Sequence, residues 1–78
     1  MTNLEQALVY FPKAIFDEND NYQLDNTFEI EWLGDGENFV VNENRYCHDI
    51  GYYSNPEIFA GNFGQCLHFV LELTGRMD

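Results

Sequence analysis

The sequence predicts an α+β domain in which a three-stranded antiparallel sheet is packed by an N-terminal and a C-terminal helix, in the order α-β-β-β-α. Three observations predict it. The stretch Thr27 to Asp49, TFEIEWLGDGENFVVNENRYCHD, alternates apolar and polar residues around an Asp35-Gly36 pair, the pattern of half-buried strands joined by a tight turn. Before it, Thr2 and Glu5 stand at capping-box spacing ahead of Leu4, Leu8 and Phe11 at intervals of four and three. After it, Phe59, Phe63, Cys66, Leu67, Val70, Leu73 and Thr74 recur at threes and fours and stop at Gly75, with Arg76 beyond.

The first helix ends near Tyr10, because Pro12 obstructs the turn before it and pushes Phe11 toward extended backbone. Lys13 to Phe16 can add a short turn with Ile15 and Phe16 on the core. Asp17 to Asn26, DENDNYQLDN, is dense in turn formers and reads as a loop anchored by Tyr22 and Leu24. Asp17, Asn19, Asn21, Gln23 and Asp25 fall on the oxygen alternation of an EF-hand loop. Tyr22 occupies the position of the required Gly, however, and Phe28 that of the bidentate Glu.

A two-residue type I′ turn at Asp35-Gly36 fixes the register of the meander. Trp32 faces Phe39 and Ile30 faces Val41 on one side, while Glu31 meets Val40 and Glu29 meets Asn42 on the other. A second tight turn at Glu43-Asn44 would set Tyr46 beside Val41 and His48 beside Phe39 inside, with Arg45, Cys47 and Asp49 outside. One face is then aromatic and the other acidic. Ile50 to Ser54, with Tyr52 and Tyr53, forms a connection. Asn55 caps Pro56 at the start of the last helix, with Glu57 near its positive end. Gly61 and Gly64 weaken that helix, so a break at Gly61 recapped by Asn62 is a second possibility.

Fourteen Asp and Glu against Lys13, Arg45 and Arg76 give a formal charge of −11, well beyond the magnitude of about 2 to 8 that keeps a small domain in solution. Such charge opposes direct binding to nucleic acid or anionic membrane and suits a basic partner surface. Seven Phe, five Tyr and one Trp in 78 residues supply a core, which excludes a disordered acidic tail. A chain of this length buries only about 60% of its unfolded surface, so that core is small and the chain forms one domain. Two cysteines are too few for a disulfide framework, and neither a signal peptide nor a long apolar run is legible, so a cytoplasmic protein with free thiols is expected.

Cys47, His48, Cys66 and His68 make up the inventory of a zinc site, but strand neighbours point apart and helix residues two apart diverge, so they do not converge. His68 is better placed to pair with Glu72 one turn on. A thiol enzyme needs positive surroundings for its cysteine, and these are acidic. No catalytic residue, metal or cofactor is assigned. Glu29 and Glu31, about 6.8 Å apart along one strand, with Asp49 on the next, Asp35 and Glu37 at the first turn and Glu43 at the second, form a fixed negative array. Tyr52 and Tyr53 can add aromatic anchors. Neither Glu29 nor Glu31 is expected to be buried, so reversing both to lysine should spare the fold.

In size and charge the chain resembles the small acidic phage-encoded anti-CRISPR and anti-restriction proteins. The resemblance implies a non-catalytic inhibitor or nucleic-acid mimic that covers the basic surface of a nucleic-acid-binding partner. The same physics fits an immunity protein or antitoxin that neutralises a basic nuclease. A calcium-binding module built on Asp17 to Asp25 is a further alternative. The domain is expected as a monomer or, through an uncovered sheet edge, a weak homodimer.

Overall fold

Thr2 opens the first helix as its spacing predicts. In the computed structural model, which describes residues 2–47 and 51–76, the Thr2 hydroxyl accepts from the Glu5 amide (3.1 Å) and the Glu5 carboxylate accepts from the Thr2 amide (2.9 Å). Helix α1 runs Asn3–Tyr10, and Ala7 and Phe11 are buried from this end of the chain. Arg76 donates to the Tyr10 carbonyl (3.1 Å) and lies 4.5 Å above the Phe11 ring, placing a cation at the negative end of α1.

The sheet has five strands rather than three. The segment expected as a helical turn and a loop instead forms a hairpin of β1 (Ile15–Phe16) and β2 (Asn21–Gln23). Asp17 makes the turn: its Oδ1 accepts from the amides of Asn19 (2.8 Å) and Asn21 (3.2 Å), and Asp20 takes up a left-handed φ of 60°. Ile15 and Phe16 are exposed, not on the core, because they form the edge strand.

Strands β3 (Phe28–Trp32) and β4 (Phe39–Glu43) pair in the expected register, Trp32 with Phe39, Ile30 with Val41, Glu31 with Val40 and Glu29 with Asn42. The loop between them is not a two-residue type I′ turn. Positive φ falls on Gly34 (84°) and Gly36 (52°) rather than on Asp35, and the Asp35 carbonyl accepts from the Asn38 amide (3.1 Å). The Trp32 indole folds over this loop and donates to the Gly36 carbonyl (2.9 Å).

No hairpin forms at Glu43-Asn44. There the chain leaves the sheet as a separate ribbon, β5 (Arg45–Cys47) against β6 (Tyr52–Ser54), and returns as β7 (Glu57–Gly61) to pair with β4. The strand order is therefore β1-β2-β3-β4-β7, all antiparallel. Phe39, Val40, Val41 and Asn42 are all buried, so β4 needs a partner on each side; Ile58, Phe59 and Ala60 suit that place better than a strand beginning with Arg45. Asn55-Pro56 thus introduces a strand, where proline is tolerated at an edge. The Pro56 carbonyl accepts from the Glu43 amide (3.0 Å), and the ladder is irregular between Val41 and Asn42. The expected place of His48 beside Phe39 is filled by Gly61, while His48, Asp49 and Ile50 lie outside the described residues.

Helix α2 (Phe63–Thr74) begins at Asn62, not Asn55. Asn62 Oδ1 accepts from the Gln65 amide (2.8 Å) and Gln65 Oε1 accepts from the Asn62 amide (3.0 Å). At the far end Gly75 adopts the left-handed conformation, and the Arg76 amide donates to the Leu71 carbonyl (2.9 Å). Phe63, Cys66, Leu67, Val70 and Leu71 face the sheet; Leu73, expected in this stripe, is exposed, because the stripe turns through Leu71 instead. They pack on Tyr22, Phe28, Ile30, Phe39 and Val41, so both helices cover one face of the sheet. Phe63 is central, with ring centroids 4.8 Å from Tyr22 and 5.6 Å from Phe39. No helix among the described residues is long and apolar enough to cross a membrane.

Candidate functional site

Alternation along the strands sends Glu29 and Glu31 to the side of the sheet away from the helices, as the sequence predicts. Both are half-buried there rather than fully exposed. The cause is Asn42, which is 6% exposed and stands opposite Glu29 on β4. Its single amide nitrogen donates to Glu31 Oε1 (2.9 Å) and to Glu29 Oε1 (3.3 Å). One buried side chain therefore fixes two carboxylates, using both N–H bonds of one amide.

The sheet register extends this patch in both directions. Gln23, Glu29, Asn42 and Glu57 form one row across β2, β3, β4 and β7, and Asn21, Glu31, Val40 and Ala60 form the next. Val40 is buried on this outer face, apart from the helix-side cluster. With strands about 4.8 Å apart, Glu57 stands about 10 Å from Glu29 across the ladder. Among the described residues no lysine or arginine is paired with these three glutamates. Arg45 is tied to Glu43 (2.6 and 2.7 Å to Oε1), Arg76 to α1, and Lys13 lies beside β1.

The other expected members of the array are dispersed. Glu43 is on the helix side of the sheet in register with Phe28, is not at a hairpin tip, and has its charge offset by Arg45. Asp35 and Glu37 are exposed in the β3–β4 loop, away from the outer-face rows. Asp49 lies outside the described residues, as do the side chains of Tyr52 and Tyr53, whose backbone forms β6 opposite Cys47 and Tyr46. Glu57 is the member sequence reasoning missed, because Asn55-Pro56-Glu57 also spells a helix start. The signal for a strand was present in EIFAG, a short apolar run bounded by Pro56 and Gly61.

Several remaining acids shape the backbone. Asp25 Oδ1 accepts from the amides of Thr27 (2.8 Å) and Phe28 (2.9 Å) and launches β3. The Asn19 amide, with smaller help from Asn21, holds the Asp17 carboxyl below its ordinary range. Thr2 does the same for Glu5. Asn21 and Gln23 are in an extended strand paired on both sides, so the Asp17 segment does not wrap as an EF-hand loop does. Among the described residues no three His, Cys, Asp or Glu side chains are placed to hold a metal ion. Cys66 is fully buried and its thiol is pushed up to about 11, mainly by desolvation, which makes it a poor nucleophile. His68 is exposed, with Nε2 3.8 Å from Glu72. No family model, curated protein or solved structure matches the chain.

Proposed function

We propose that this protein is a non-catalytic acidic inhibitor that binds the basic nucleic-acid-binding surface of a partner protein. The observation that carries this reading is the outer face of the sheet: Glu29 and Glu31 locked by Asn42, with Glu57 two strands away and no lysine or arginine paired to them among the described residues. Carboxylates on a rigid sheet repeat at distances comparable to phosphates along a strand of nucleic acid, and need no reordering to meet arginines and lysines. The net charge of −11 adds long-range attraction, which speeds encounter with such a surface.

The test is capture of host-cell proteins on the immobilised chain, identified by mass spectrometry, with Glu29→Gln/Glu31→Gln in parallel. Glutamine keeps an acceptor for Asn42 and removes both charges, whereas lysine would set an ammonium against the buried amide donor. A nucleic-acid-binding protein held by the wild type, and lost both in the variant and at high salt, is the expected result. Equal capture by the double variant would remove the outer face from the reading.

A further inference from the structure

Among the described residues, strand β7 is the last strand of the sheet and has β4 on one side only. Which of its backbone groups face outward follows from bonds in the sheet. The Asn44 amide donates to Thr27 and the Leu33 amide to Asn38, so even-numbered residues of β4 direct their polar groups to β3. Odd-numbered ones turn to β7, as the Glu43 amide does in donating to the Pro56 carbonyl. Phe59 and Gly61, opposite Val41 and Phe39, therefore bond inward, and Ala60 between them directs its N–H and C=O away from the sheet. Ala60 is exposed.

A groove of about 470 Å³ runs beside this edge between β7 and α2, lined by Phe59, Gln65, His68, Phe69 and Glu72. Its lining includes the stacked pair Phe59 and Phe69, with ring centroids 4.6 Å apart and planes at 9°. On the opposite face of the same strand stands exposed Glu57. A strand laid against β7 would alternate its side chains between the aromatic groove and the Glu57 side. Both sides carry acid, Glu72 at the groove and Glu57 across from it.

We infer that the β7 edge receives an extended segment of the partner in which apolar residues alternate with lysine or arginine, by addition of a strand at Ala60. This rests on the reading of the partner as basic and specifies how part of it is held. Charge selects the occupant: a second copy would bring another −11 to the same edge, whereas the basic residues of an alternating segment fall on the Glu57 face while its apolar residues enter the groove. Backbone pairing supplies affinity that charge alone does not, and the groove selects the apolar residues.

The experiment uses a fluorescein-labelled peptide of alternating valine and lysine, read by anisotropy against the full chain. Two changes separate strand addition from simple attraction. Ala60→Pro removes the outward donor while leaving the inward bonds to β4 intact. Two peptides, one N-methylated at its lysines and one at its valines, keep their side chains and charge, and one of the two loses the row of donors that faces β7; both are tested on the unaltered protein, so the result does not depend on the variant folding. Ala60→Pro, and methylation of one of the two rows but not the other, are each expected to weaken binding by about tenfold or more, with the melting temperature of Ala60→Pro as the folding control.

Equal affinity of the unmethylated peptide and both methylated peptides overturns the proposal and leaves the basic-partner reading standing on charge alone. Absence of binding by the unmethylated peptide also overturns it. So does a dimer in sedimentation that Ala60→Pro dissociates, since the edge is then occupied by a second copy.

Discussion

Asn42 shows how one residue sets the character of a surface. A buried amide facing two glutamates satisfies its own donors and orders both carboxylates, so the two charges sit on side chains already held in place. Asn42→Asp would replace the donor with a third carboxyl between them, and a loss of about 2–3 kcal/mol at neutral pH is expected in denaturant titrations. Repulsion and burial raise the folded-state pKa of the introduced carboxyl above its unfolded value. Its neutral form is therefore the tolerated one, and the deficit should shrink as pH falls through that raised pKa and be gone below about 4, the unfolded-state value. Glu29→Gln/Glu31→Gln, by contrast, should melt close to the wild type. Cys66 gives a second pH signature. Its pKa is raised from 9.0 to about 11, so the stability tied to its neutral thiol is full below pH 9 and is lost as pH rises through 11. Cys66→Ala should lack this alkaline component, measured as the difference between the two proteins' stabilities from pH 8 to pH 11.

At the scale of elements, the choice between helix and strand at 57–61 decides the architecture. Two cap signals compete within eight residues, Asn55-Pro56 and Asn62 with Gln65, and only the second is used. Gly61 is the hinge between strand and helix: a Cβ there would lie 2.6 Å from Gln65 Oε1, within the capping box itself. Asn62→Ala removes the cap and should cost about 1 kcal/mol, lowering the melting temperature by about 4–8 °C in a domain of this size. Asn55→Ala, at a cap that does not form, should leave the melting temperature within about 2 °C of the wild type. Helical content by circular dichroism should fall in the first variant and hold in the second.

The whole molecule carries its charge with little internal neutralisation. Of the three Lys and Arg side chains, Arg45 alone makes an ion pair with a carboxylate among the described residues. Self-repulsion should therefore dominate the salt response. Sodium chloride at 0.15 M, where the screening length is about 8 Å, is expected to raise the melting temperature above its value at 0.01 M, the opposite of a fold held by ion pairs. Millimolar calcium at constant ionic strength should change neither the Trp32 fluorescence nor the melting temperature, since the Asp17 carboxylate is already bonded to Asn19 and Asn21 within a hairpin.

The caps at Thr2 and Gly75, the register across Asp35-Gly36 and the sidedness of Glu29 and Glu31 were written in local spacing, because each depends on residues close in the chain and on the periods of helix and strand. Partner choice among strands was not. Whether β4 pairs with Arg45–Cys47 or with Glu57–Gly61 depends on which segment better covers a strand buried on both faces, a comparison that exists only once the helices have closed over the sheet. That choice brought Glu57 to the outer face. It also left an open edge at Ala60. The sequence alone determined the sign of the surface and the side of the sheet that bears it; tertiary packing decided which carboxylates share that side, because adjacency between strands follows burial rather than order along the chain.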